Sequence, residues 1–291
     1  MARALLACIP ASPGAGKGCV HNQTRNNPCR ACMNACPTAA IRYTAQGVVI
    51  DEAECVGCGQ CLFVCPGEAL ENIPAVSRRW QQDKLVSPLS SLPASVEELL
   101  IWHAEYHIRA IELADTDNAD WLRVIAELNL ILKKLNQPCW RIDPPTHSGA
   151  GNSKRRWLGL RSPSINQTAV SGSPRRRRAS YPTISWFRLQ FDAERCFLCG
   201  ACARVCPEQA IRLHPDRLTL DHQRCTHCGN CTAACFAGAI RSERWQQPLA
   251  PQRFSLLRKQ CTACQQTFNA WSSQQMHCPV CQRHAFGMRE A

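Results

Sequence analysis

From Ser95 onward the apolar positions fall at helical spacing. In "SVEELLIWHAEYH", Leu99, Leu100, Trp102 and Tyr106 fit one helix, and Ser95 followed by Glu98 is a capping-box signature. "IRAIELA" alternates enough for a strand. "DNADWLRVIAELNLILKKLN" predicts a strong amphipathic helix starting near Asp117 or Asn118 and ending by Pro138, and "PCWRI" predicts a second strand. Helix, strand, helix, strand implies a small parallel α/β module at 75–143 with no Gly-rich phosphate turn. His103 and His107 stand at i and i+4, but no third metal ligand accompanies them, so both are expected at the surface. Cys139 is expected to be a buried strand residue.

Residues 144–191 break this pattern. They contain no Asp or Glu, many Pro, Ser and Gly, and the run "RRRR" at 175–178. A basic flexible linker is the expectation, solvated or turned toward an acidic protein, with nucleic acid disfavoured. "SKRRWLGL" (153–160) lies inside it.

Cysteine changes the picture more than any apolar pattern. The chain has 22 in 291 residues, grouped as C-x2-C units. A secreted disulfide scaffold would explain the number, but the chain is long for that class and no secretory leader is evident. "MARALLAC" imitates a lipoprotein cleavage site at Cys8, with too short an apolar run. No stretch approaches the roughly 18 apolar residues of a membrane span, so a cytoplasmic, thiol-reducing location without membrane insertion is expected.

The cysteines form an internal repeat. "CPTAAIRYTAQGVVIDEAECVGCGQCLFVC" (36–65) aligns without a gap on "CPEQAIRLHPDRLTLDHQRCTHCGNCTAAC" (206–235). Cys29, Cys32, Cys36, Cys55, Cys58, Cys61 and Cys65 recur 170 residues later as Cys199, Cys202, Cys206, Cys225, Cys228, Cys231 and Cys235. Only Cys196 lacks its counterpart, because position 26 is Asn26 and the nearest upstream cysteine is Cys19. The intervening "VHNQTRNNP" is polar and turn-rich, so an exposed loop inserted into an intact motif is expected, with a [3Fe–4S] centre or ligation by Cys8 as the alternatives. Lengthening such a loop costs little, roughly 0.6 kcal/mol per doubling.

With runs of C-x2-C-x2-C-x3-C, residues 19–72 and 192–242 each resemble the bacterial two-[4Fe–4S] ferredoxin family. The whole chain is more loosely similar to polyferredoxins that accompany bacterial respiratory molybdoenzymes, such as the accessory ferredoxin of periplasmic nitrate reductase. The resemblance implies βαββαβ modules and electron transfer, with the fourth cysteine of each run ligating the other cluster. Carried onto this sequence, cluster 1 takes Cys19, Cys29, Cys32 and Cys65, and cluster 2 takes Cys55, Cys58, Cys61 and Cys36. Cluster 3 takes Cys196, Cys199, Cys202 and Cys235, and cluster 4 takes Cys225, Cys228, Cys231 and Cys206. Phe236 replaces the proline that follows the fourth cysteine in the other three runs.

Near the C-terminus, Cys261, Cys264, Cys278 and Cys281 read C-x2-C-x13-C-x2-C, two knuckles suited to one tetrahedral Zn2+, with mononuclear iron as the rival. Four clusters and one zinc would carry about −10, so the formal charge of +12 largely balances cofactor charge and is no evidence for nucleic acid. "GAGKG" (14–18) is an incomplete P-loop.

The expected architecture is α+β. It has two ferredoxin-like dicluster modules (1–74 and 192–245), joined by the α/β module and the linker, and a C-terminal zinc ribbon at 255–286. The expected function is electron transfer through four [4Fe–4S] clusters to a redox partner protein, a molybdoenzyme being one candidate. The chain would be a carrier without its own substrate site. The alternatives are a maturation factor for an apo-molybdoenzyme and a subunit of a larger oxidoreductase.

Overall fold

A computed structural model describes residues 12–24, 26–113, 119–145 and 164–282. Cys8, Asp117, Asn118 and "SKRRWLGL" lie outside them. The chain divides into two compact units. The first takes most of the chain up to Arg177; the second takes Gln23–Cys29, Lys134–Asn136 and everything from Arg178 onward.

In the first unit, β1 (Gly14–Ala15) is followed by the short helices α1 (Val20–Gln23) and α2 (Ala31–Ala35). Then come β2 (Ile41–Thr44), β3 (Gly47–Ile50), a 3-10 turn at Gln60–Phe63 and β4 (Leu70–Glu71). The strands form one antiparallel sheet in the order β2-β3-β1-β4. Ile41, Ile50 and Cys61 are its buried centre, with Cys32, Cys36 and Cys55 packed around them.

A second sheet in this unit runs β8-β7-β6-β5-β9. β5 (Ser77–Gln81) and β6 (Lys84–Leu85) form a hairpin; β6, β7 (Ala110–Glu112) and β8 (Arg141–Asp143) are parallel. The parallel crossovers are α3 (Val96–Glu105) and α4 (Ala119–Lys134). Such crossovers need a connection long enough to cover the sheet, which is why helices occupy them. Leu99, Leu100, Ile101, Trp102, Ile111, Ile125, Leu128 and Leu132 are fully buried here. Ser95 caps α3 by accepting the Glu98 N–H, but the Glu98 carboxylate does not complete the reciprocal half of the box. It is turned instead into a bidentate pair with Arg78, at 2.7 and 2.9 Å.

Four expectations are corrected. Cys139 is only half-buried and precedes β8 rather than lying in a strand. His103 is 1% exposed, not a surface residue; its Nδ1 accepts the Trp140 indole N–H at 3.0 Å. The described part of the segment expected to be a flexible linker is structured. It forms β9 (Asn166–Ala169), paired with β5, then α5 (Pro174–Ser180) and β10 (Ser185–Phe191). Its arginines are not a solvated run, because acidic residues distant in sequence meet them. Within the first unit Arg175 pairs with Glu68, Arg176 with Glu105 and Arg177 with Glu97; within the second, Arg178 pairs with Glu208. The loop between Cys19 and Cys29 is not exposed throughout. Asn27 is 6% exposed and donates to Asn230 Oδ1 at 2.7 Å within the second unit.

The second unit continues with α6 (Ala201–Arg204), β11 (Ile211–Leu213), β12 (Arg217–Leu220), a 3-10 turn at His222–Arg224, α7 (Asn230–Ala234) and β13 (Ile240–Gln247). β10 pairs with β13, and β11 with β12, all antiparallel. From β10 the order is strand, helix, strand, strand, helix, strand. β14 (Gln252–Ser255) extends the β11–β12 sheet, and β15 (Leu257–Gln260) with β16 (Thr267–Ala270) forms a separate hairpin. Leu189, Leu198, Ile211, Leu218, Leu220 and Ile240 are the core beneath the cysteines.

Candidate metal centres

Each dicluster module repeats one local device. After the fourth cysteine of every run the chain turns, and the residue three positions on adopts a left-handed φ: Ala39 (54°), Glu68 (50°), Gln209 (50°) and Gly238 (60°). The N–H of that residue donates to the cysteine carbonyl in all four turns, at 3.3, 3.2, 3.2 and 2.9 Å. The next N–H then points back at the sulfur: Ala69 to Cys65 Sγ at 3.3 Å, Ala210 to Cys206 Sγ at 3.2 Å and Ala239 to Cys235 Sγ at 3.3 Å. At Cys36 the geometry differs: the sulfur meets Thr38 Oγ1 at 3.6 Å, and burial, which would raise the thiol, is outweighed by Thr38 and nearby backbone N–H groups that hold it below its ordinary range. Phe236 therefore preserves the turn that proline opens elsewhere; its ring is 58% exposed and stacks on Phe197 at 5.5 Å.

The loops that carry the first three cysteines are also shared. Gly57, Leu198 and His227 precede the second cysteine of their runs with φ between 54° and 64°, and Gly59, Gly200 and Gly229 follow it with φ between 67° and 78°. Such doublets turn successive N–H groups toward one concavity, suited to an anionic cluster. The stretched run lacks this doublet around Cys29, where Pro28 and Arg30 stand.

The predicted ligands come together as follows. Cys61 is pushed up to about 12, by burial first and then by repulsion from Cys58, Cys36 and Cys55. Cys231 is pushed up to about 12 by burial, Cys228 and Cys206; Cys225 is raised by burial and by the same neighbours. Cys202 is pushed up to about 12 by burial and by Cys196, Cys231, Cys199 and Cys235. Cys231 belongs to the neighbouring group, so the two groups of this unit are adjacent. Burial and mutual repulsion keep these thiols protonated until a cationic core compensates them, which suits a metal-cluster site. A shallow concavity lies beside Cys196, Cys199, Cys202 and Cys235, lined also by Phe197, Leu213 and Phe236.

Cys19 reaches its neighbour through strand pairing. β1 pairs with β4, Gly16 N–H donates to Ala69 O at 2.7 Å, and the Gly18 carbonyl lies against Gly67. This sets Cys19 close to Cys65, and burial, with Cys65 adding repulsion, raises the Cys19 thiol. Cys32 is half-buried on α2. Cys29 sits on the segment that belongs to the second unit, near enough to Cys228 to add to its raised pKa after burial and Cys206.

In the C-terminal group the sulfurs of Cys261, Cys264, Cys278 and Cys281 all lie within 4.8 Å of one another, with Cys264 and Cys278 3.7 Å apart. Zn–S bonds of about 2.3 Å in a tetrahedron place sulfurs about 3.8 Å apart. The donor set fits a single tetrathiolate ion. The Cys278 N–H donates to Cys261 Sγ at 3.3 Å and holds that thiol below the ordinary range.

Arg178 was missed as a site residue. It bonds Glu208 Oε2 at 2.9 Å and the Arg224 carbonyl at 2.6 Å, and Arg224 bonds the Glu208 carbonyl at 2.8 Å, so two cations brace the Cys206 turn. The unusual absence of acid around the run "RRRR" was the available signal.

Residues 27–69 and 195–239 each match the 4Fe-4S dicluster domain family. The chain carries two such domains and is related through them to iron–sulfur subunits of oxidoreductases. It is 44% identical over 46 residues to the aliphatic sulfonate oxidoreductase polyferredoxin-like subunit of Pyrococcus furiosus, covering 15% of this chain and 26% of that one. It is 36% identical over 69 residues to the arsenate respiratory reductase iron–sulfur subunit of Shewanella sp., covering 21% and 30%. It is 42% identical over 43 residues to a subunit of the ion-translocating oxidoreductase complex of Methanosarcina acetivorans, covering 15% and 16%. These matches span less than a third of each relative. Among the described residues no helix is long and apolar enough to cross a membrane.

Proposed function

We propose that the protein carries electrons through four [4Fe–4S] clusters, held by Cys19/Cys29/Cys32/Cys65, Cys55/Cys58/Cys61/Cys36, Cys196/Cys199/Cys202/Cys235 and Cys225/Cys228/Cys231/Cys206. The observation that carries this is the left-handed turn repeated after Cys36, Cys65, Cys206 and Cys235, which at Cys65, Cys206 and Cys235 aims an N–H at the sulfur. When bound, the clusters supply one-electron redox chemistry. The chain's residues anchor them, exclude water, and set potential through burial and N–H···S bonds. The adjacency of Cys202 and Cys231 supports transfer between the two centres of the second unit. Cys261, Cys264, Cys278 and Cys281 hold one Zn2+ in a structural role, supported by sulfur spacing that suits a tetrathiolate.

The names of the relatives favour work beside a catalytic partner: a respiratory or anaerobic oxidoreductase, a molybdoenzyme being one candidate. This chain then serves as its electron-transfer component. Anaerobic reductive titration followed by EPR tests the reading. Four one-electron equivalents per chain, with one zinc by elemental analysis, is the expected result; two equivalents would reject it.

A further inference from the structure

The C-terminal four-cysteine hairpin and the third cluster site are physically joined. Trp271, the residue after β16, donates its indole N–H to the Cys196 carbonyl at 2.8 Å. Its ring packs on Phe191 at 5.8 Å and Phe254 at 6.2 Å between centroids. Trp271 lies against the same buried core as Cys196, Cys202 and Cys235. Asn269 adds a bond to the His214 carbonyl at 3.3 Å.

We infer that this four-cysteine hairpin is a lid for the third cluster and that Trp271 is its clasp, a positioning residue for the Cys196 loop. This rests on the function proposed above. The peptide after Cys196 is trans, so its carbonyl and the Phe197 N–H point in opposite directions. Holding the carbonyl against Trp271 turns the Phe197 N–H away from the lid and fixes the approach to Leu198, whose N–H donates to Cys196 Sγ at 3.3 Å.

The lid depends on its own metal. β15 and β16 have four residues each, and a two-stranded hairpin of that size is marginal in water. Cys261 follows β15 directly, and the Trp271 N–H is held by Gln275 three residues before Cys278. A tetrathiolate ion closes both ends of this segment and keeps Trp271 in place.

The test uses full-length, anaerobically prepared holo-protein as wild type, Trp271→Phe, Trp271→Ala and Cys264→Ser. Iron release to an Fe(II) chelator is followed in time, and each centre's midpoint potential by EPR-monitored titration. In Trp271→Ala about a quarter of the iron should leave roughly tenfold faster, the factor that corresponds to one lost hydrogen bond and its packing. Cys264→Ser should reproduce this release. Trp271→Phe keeps an aromatic side chain and removes the donor; it should lower one potential and leave the other three unchanged. Unchanged release and potentials in both Trp271 variants overturn the inference, as does an equal acceleration for all the iron. The cluster reading fails separately, if wild type itself lacks the third centre.

Discussion

Gly67 offers a sharp test of how Cys19 reaches its site. Its φ lies in the ordinary range, so a side chain there strains no backbone dihedral. By the unfolded-state argument alone, Gly→Ala would stabilise by about 0.4–1 kcal/mol. The structure reverses that sign. A Cβ on Gly67 would stand 2.3 Å from the Gly18 carbonyl oxygen, and real Cβ contacts start near 3.0 Å. The obstacle is backbone, so no rotamer change relieves it. Gly18 must move by about 0.7 Å, and Cys19 is the next residue. Overpacking of this kind costs about 1–3 kcal/mol, which exceeds the entropic gain. Gly67→Ala should therefore lose the first cluster, about a quarter of the bound iron, or release it at least tenfold faster to a chelator. Gly14→Ala is the control, since nothing lies within 4 Å of its Cβ and its φ is ordinary. It should match wild type. Full iron retention with wild-type release in Gly67→Ala, or equal loss in Gly14→Ala, would refute the reasoning.

Other expectations follow from the same structure. Cys19→Ser should lower iron content by one atom or one whole cluster, whereas Cys8→Ser and Cys139→Ser should leave it unchanged; iron loss in Cys8→Ser would displace Cys19 from the site. Arg78→Met strands the buried Glu98 carboxylate (side chains 3% and 2% exposed) and should destabilise the first unit by about 3–5 kcal/mol. The double variant Arg78→Met/Glu98→Leu should recover most of that loss in tryptophan-monitored urea unfolding. Burial, with Arg109 adding repulsion, holds His103 down at about 4 against 6.5 unfolded, so the folded state keeps it neutral. Its contribution is complete above pH 6.5 and falls by up to about 3 kcal/mol as pH drops from 6.5 to 4, so His103→Gln should flatten unfolding midpoints across that window.

The cysteine rhythm was legible because its spacing is local: each run returned as a loop, a short helical turn and a left-handed turn, which at Cys65, Cys206 and Cys235 directs an N–H at the sulfur. The cap at Ser95 was legible for the same reason. Partners far along the chain decided what was hidden. Polar Asn27 reads as an exposed loop residue until Asn230, 203 positions away, satisfies its amide. "RRRR" reads as a solvated run until Glu68, Glu97, Glu105 and Glu208 meet it. The left-handed turns at Ala39, Glu68 and Gln209 carry no glycine signal, and the sulfur contact that holds them appears only in three dimensions. Trp271 lies 75 residues from Cys196 and no motif links them.

Iron and acid-labile sulfide, measured per chain on anaerobically purified full-length protein, test the central claim most directly. Four cubane clusters predict about sixteen of each, with zinc near one. Iron and sulfide near eight would contradict the account, because two of the four cysteine groups would then hold no cluster.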